Sequence, residues 1–120
     1  CPYCKTIYSQ ELCDKYFDAL LKEIHMVGKM QRGKKTVTSL YFGGGTPALA
    51  SERIKEIIET LNLYFKITEG IGVELHPDNV PEPTLKTLKD AGVTKISIGI
   101  QSFQEKLVLI PVFLVLFCQK

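Results

Sequence analysis

Thr36-Val37-Thr38-Ser39-Leu40-Tyr41-Phe42-Gly43-Gly44-Gly45-Thr46-Pro47 is the stretch that decides how this chain folds. Thr36 to Phe42 is rich in β-branched and aromatic residues, the composition of a buried strand, and it stops abruptly at three consecutive glycines. Removing every Cβ from a strand end lets the backbone approach a ligand and offer its N–H and C=O groups. A phosphate loop of the Walker type would need a lysine followed by serine or threonine after the last glycine. Thr46-Pro47 supplies neither the lysine nor, at the proline, a free N–H.

On the N-terminal side, Leu12, Tyr16, Leu20, Ile24 and Val27 recur at helical spacing between Ser9 and about Met30, which predicts an amphipathic helix with those residues on its inner face. Ser9 is placed to cap it, and Glu11 suits its first turn. On the C-terminal side, Ile54, Ile57, Ile58 and Leu61 predict a second helix from Ser51, its expected cap, to about Phe65. A short apolar strand follows over Ile71 to Leu75. A third helix is expected from Pro83 to Ala91, closed by Gly92 in a left-handed conformation, and a third strand from Val93 to Ile100. The alternation of helix and strand, with each helix long enough for a crossover, implies an α/β fold of parallel strands. Periodicity leaves open whether the sheet closes into a barrel.

The polar and glycine-rich residues fall just after the strands. Gly43 to Pro47 follow the first, Glu74 to Asp78 finish the second, and Gln101 and Ser102 finish the third. The carboxyl ends of parallel strands form the ligand-binding face of α/β folds, so these groups are expected to line one site.

Length and composition narrow the function. The 120 residues suit one structural unit, and 45% hydrophobic with 23% charged residues is ordinary for a globular protein. A net charge of +2 with dispersed lysines gives no electrostatic footprint for nucleic acid. The basic stretch Lys29 to Lys35 lies between a helical and a strand pattern and is expected to be a solvated loop. No charged-then-apolar leader opens the chain, so a cytoplasmic location is the expectation. The apolar run Leu107 to Phe117 is shorter than the roughly 20 residues of a spanning helix and is interrupted by Pro111. A buried strand, or sequence foreign to the parent fold, is expected there rather than a membrane anchor.

Cys1-Pro2-Tyr3-Cys4 is a Cys-x-x-Cys pair, a spacing shared by redox dithiols, zinc sites and iron–sulfur sites. Zinc would want four ligands, and neither a second such pair nor a histidine pair is present. Cys13 and Cys118 are expected to be ordinary thiols, His25 a structural histidine and His76 a hydrogen-bonded loop residue.

Taken in order, Cys1-Pro2-Tyr3-Cys4, Tyr41-Phe42-Gly43-Gly44-Gly45-Thr46-Pro47, Glu74 two residues after Gly72, and Ser97-Ile98-Gly99-Ile100-Gln101-Ser102-Phe103 resemble the motif set of the oxygen-independent coproporphyrinogen III oxidase family and its haem-chaperone relatives. These belong to the radical S-adenosylmethionine superfamily. The resemblance implies a partial (β/α) barrel of that type and a [4Fe–4S] cluster on cysteine thiolates, with Cys1 and Cys4 matching the last two cysteines of the Cys-x-x-x-Cys-x-x-Cys loop. It also implies S-adenosylmethionine as cofactor. Gly43, Gly44, Gly45 and Thr46 would meet its methionyl amino end, Glu74 would accept from the ammonium, Gln101 would bond the ribose, and Tyr3 would screen cluster and adenine from water. In that family the cofactor is cleaved reductively to a 5′-deoxyadenosyl radical that takes hydrogen from the substrate. The oxidases thereby decarboxylate propionate side chains in porphyrin biosynthesis. A porphyrinogen or haem-like small molecule as substrate, and an electron donor such as flavodoxin or ferredoxin, are the implied partners.

The resemblance covers Cys1 to about Lys106. The family's first cluster cysteine would precede residue 1, and an arginine expected near Phe113 is missing from the uncharged run Leu107 to Phe117. The organisation expected is therefore a partial core over residues 1–106 and an atypical apolar tail over 107–120, as in a truncated or frame-shifted gene product, inactive by itself. Two alternatives stand beside it. A glutaredoxin-like oxidoreductase would use Cys1-Pro2-Tyr3-Cys4 as its dithiol but leaves the triple glycine unexplained, and a non-catalytic haem-chaperone-like protein would bind without turnover.

Overall fold

The computed structural model describes residues 7–44, 46–76, 80–100 and 112–117. Its elements follow in the order α1 (Gln10–Met30), β1 (Lys35–Phe42), a 3-10 turn (Pro47–Ala50), α2 (Ser51–Tyr64), β2 (Phe65–Leu75), α3 (Glu82–Asp90), β3 (Lys95–Ile100) and β4 (Val112–Phe117). One sheet carries the strands in the order β1-β2-β3-β4. β1, β2 and β3 are parallel, joined through α2 and α3, as the alternating pattern requires. Among the described residues the sheet is open.

β4 runs antiparallel to β3, pairing Ile100 with Val112 and Lys95 with Phe117. A strand does form inside the apolar run. Residues 101–111 link it to β3, fewer than the roughly dozen residues that a parallel crossover takes, so reversal is the accessible pairing. Among the described residues no helix is long and apolar enough to cross a membrane.

Alternate residues of β2 face opposite ways. Ile71, Val73 and Leu75 are buried and join Ala48, Ile54, Ile58, Leu88 and Val93 in the core, with Leu40, Phe42 and Ile96 packed against it from the flanking strands. Gly72 and Glu74 point to the other side. The core thus lies between the sheet and the helices α2 and α3. At its base Thr94 ties down β2: its N–H donates to the Ile71 carbonyl at 2.9 Å, and its hydroxyl accepts from the Ile71 N–H at 3.2 Å.

The helix starts and stops show which local signals governed. Ser9 caps α1 through its side chain, accepting from the Leu12 N–H at 3.3 Å. Ser51 does not cap α2. The 3-10 turn delivers the chain already helical, Ala50 takes the cap position and Ser51 becomes the first residue of the helix. Gly92 ends α3 with φ +95, the left-handed value expected of it. β2 begins six residues earlier than its apolar run suggests, because α2 passes into it at Phe65 with no intervening turn.

α1 lies on α2 and is clamped there at three levels. Arg53 is paired to Asp18 and, at 2.6 Å, to Glu56, and sits 5.6 Å from the centre of the Phe17 ring. His25 Nδ1 and the Tyr64 hydroxyl share a hydrogen bond of 2.8 Å, with the two rings edge to face, which gives His25 the structural role expected of it. Gly28 is buried, and a Cβ there would collide with the Tyr64 ring at its Cγ. The face predicted to point inward is only partly covered: Leu12 is 61% exposed, Tyr16 63% and Val27 41%.

Candidate functional site

The site is built at the carboxyl ends of β1 and β2. Parallel register sets Phe42 beside Val73, so Gly43 emerges next to Glu74, and Glu74 in turn lies beside the buried Ser97 of β3. Phe42 packs on the core at one end of the glycine bend. At the other end the 3-10 turn buries Ala48 in the same core, and the Leu49 N–H donates to the Thr46 carbonyl at 3.1 Å. Both ends of the bend are therefore anchored while Gly43 and Gly44 stay exposed.

Gly44 has φ +104, a conformation that side chains rarely adopt, and its N–H donates to Glu74 Oε2 at 3.3 Å. The contact joins two residues thirty positions apart. A Cβ added at Gly43 would lie 3.3 Å from the same carboxylate oxygen and 3.0 Å from Tyr41 Cε1. One carboxylate thus stands over backbone from which side chains are excluded. Such a pairing suits a ligand that carries an ammonium, which the carboxylate accepts from, beside polar groups that backbone can meet.

Of the residues singled out in the sequence, the structure brings Gly43, Gly44 and Glu74 together, with the half-buried Thr46 at the far end of the bend. Cys1, Tyr3, Cys4, Gly45 and Gln101 lie outside the described residues. His76 follows β2 directly and is half-buried. Among the described residues no group of three or more histidine, cysteine or acidic side chains is placed to hold a metal ion. The residue that sequence reasoning left without a role is Tyr41. Its ring lies against Gly72 and Gly43 on the site side of the sheet. Nothing local marked it, because Tyr41 and Gly72 meet only through the register of β1 and β2.

Residues 1–115 match the family model of the Radical SAM superfamily. This chain belongs to that superfamily. Radical SAM membership implies use of an iron–sulfur cluster and S-adenosylmethionine, and the carboxylate above the side-chain-free bend fits the amino end of the latter. The chain is 33% identical over 115 residues to the heme chaperone HemW of Bacillus subtilis (strain 168), covering 89% of this chain and 30% of that protein. It is 32% identical over 111 residues to the anaerobilin synthase of Escherichia coli O157:H7, covering 89% of this chain and 25% of that protein. It is 32% identical over 108 residues to the oxygen-independent coproporphyrinogen III oxidase of Synechocystis sp. (strain ATCC 27184 / PCC 6803 / Kazusa), covering 86% and 23%. Among solved structures it is similar to coproporphyrinogen III oxidase (HemN) from Escherichia coli, itself a Radical SAM enzyme. That likeness has a TM-score of 0.73 and 28% identity, over 85% of this chain and 24% of the other. The chain therefore spans less than a third of the length of these relatives.

Proposed function

We propose that this chain forms part of the S-adenosylmethionine-binding core of a protein of the oxygen-independent coproporphyrinogen III oxidase and haem-chaperone group. The observation that carries the reading is the Gly44 N–H to Glu74 contact, which joins two strand-end groups across parallel strands in a Radical SAM chain. In this reading Glu74 accepts from the methionyl ammonium with the carboxylate oxygen not engaged by Gly44. Gly43, Gly44 and Gly45 offer backbone to the same end of the cofactor, and Thr46 closes the bend. Gln101 bonds the ribose through its amide, Cys1 and Cys4 give thiolates to the cluster, and Tyr3 shields it from water. When bound, the cluster supplies the electron for reductive cleavage of S-adenosylmethionine. The protein's own part is to orient the cofactor and keep water out.

The substrate class is a tetrapyrrole, a porphyrinogen or a haem, because the relatives include both coproporphyrinogen III oxidases and heme chaperones. Flavodoxin or ferredoxin is the matching electron donor, and the cytoplasm the matching location. A dithiol oxidoreductase reading is not carried forward, since it gives the glycine bend and Glu74 no task.

Titration of the chain with S-adenosylmethionine in a calorimeter, before and after anaerobic reconstitution with ferrous iron and sulfide, tests the reading. Saturable binding is expected. Glu74→Gln is expected to weaken it by about tenfold, the scale of one hydrogen bond to a charged group, while shifting stability by less than about 0.5 kcal/mol. Equal binding by Glu74→Gln and the unaltered chain would remove Glu74 from the site. Haem added to the same protein and followed by its Soret band separates the haem-binding form of the proposal from the porphyrinogen form.

A further inference from the structure

Tyr41 occupies space that two missing side chains leave open. A Cβ on Gly72 would lie 2.7 Å from Tyr41 Cδ2 and 3.1 Å from Cε2, and a Cβ on Gly43 would lie 3.0 Å from Cε1 and 3.4 Å from Cδ1. The ring is therefore seated with one edge on β2 and the other on the start of the bend. Gly72 and Tyr41 are register partners, and Glu74 stands two residues further along the same face of β2. Tyr41 is 56% exposed and outside the core, so core burial does not hold it there. What fixes it is the pair of notches.

We infer that Tyr41 is a positioning residue for the glycine bend: its ring, held between Gly72 and Gly43, sets the bend so that the Gly44 N–H meets the Glu74 carboxylate. The ring fills the place a Gly43 side chain would take, on the side that also faces Glu74 Oε2. If the ring moves, Gly43 loses its support and Gly44 loses the geometry of a 3.3 Å contact already at the long end of the hydrogen-bond range. The Tyr41 atoms that fill both notches are ring carbons, so the hydroxyl is dispensable for this role and phenylalanine should serve as well. Loose support of a binding group costs affinity without removing any group that touches the ligand. The consequence for S-adenosylmethionine rests on the binding reading above; the consequence for the Gly44 amide does not.

The amide proton resonance of Gly44, assigned in the labelled chain, is the first readout, with Glu74→Ala marking the position it takes without the carboxylate. In Tyr41→Ala the resonance is expected to move to that position, and in Tyr41→Phe to stay where the unaltered chain has it. Gly72→Ala, whose methyl would displace the ring, is expected to act like Tyr41→Ala. Tyr41→Ala alone suffices for the test if Gly72→Ala does not fold, because Tyr41 lies outside the core. The second readout is calorimetric. Tyr41→Ala is expected to weaken S-adenosylmethionine binding by about tenfold and Tyr41→Phe to restore it. A Gly44 resonance unmoved in Tyr41→Ala overturns the inference, whatever the calorimeter shows. A resonance that moves in a chain that does not bind S-adenosylmethionine upholds the positioning role and overturns the binding reading instead.

Discussion

α1 and α2 carry similar apolar stripes at helical spacing, yet they meet different fates. α2 buries Ile54, Ile57 and Ile58 almost completely, whereas α1 leaves Leu12, Tyr16, Met26 and Met30 more than half exposed. The difference comes from position. α2 is a crossover between two parallel strands and lies between the sheet and α1, so both its flanks find partners. α1 reaches the rest of the described fold chiefly through α2 and is covered along one side, at Phe17, His25 and Gly28. Amphipathic spacing therefore reports that a helix has an apolar face; what covers that face is decided by topology.

Substitutions graded along the two helices put numbers on that contrast. Ile58→Ala, in the core at 1% exposure, should destabilise the chain by about 2–5 kcal/mol in urea unfolding, because lost burial and a residual cavity add. Gly28→Ala should cost about 1–3 kcal/mol, since its methyl must push Tyr64 off the α1 surface, and it should loosen the His25 contact visibly in the imidazole resonances. Ser9→Ala removes the cap of α1 and should cost about 1 kcal/mol, read as a loss of ellipticity as well as of stability. Leu12→Ala should stay within about 0.5 kcal/mol of the unaltered chain. A Leu12→Ala cost matching that of Ile58→Ala would break the comparison and mean that α1's outer face is covered in solution.

Legibility followed the range of the interaction. The span and cap of α1, the strand that runs into the glycines, the third helix and its Gly92 terminus all rest on contacts a few residues apart, and the sequence displays them. The first half of β2 was hidden because Glu69-Gly70 interrupts its apolar pattern and no turn residue separates it from α2. Ser51 looked like a cap because nothing local reveals that Pro47–Ala50 has already begun to coil. In the site, the nearness of Glu74 to the glycine bend followed from the rule that strand ends converge. Tyr41 was not legible as a support, since its partner Gly72 lies thirty-one residues away and only the register joins them. The direction of β4 was likewise a matter of connection length, which an apolar run by itself does not convey.

The junction of Tyr64 with Phe65 has a practical meaning for anyone who modifies this chain. Helix becomes strand there within one peptide unit, His25 grips the last helical residue, and Lys35 pairs with the first residue of the strand. A peptide tag, a protease site or a fluorescent reporter spliced into that joint would pull the crossover off the sheet. The bend at Gly33, solvent-exposed with open space around it, is where such cargo can be carried without disturbing the bend that faces Glu74.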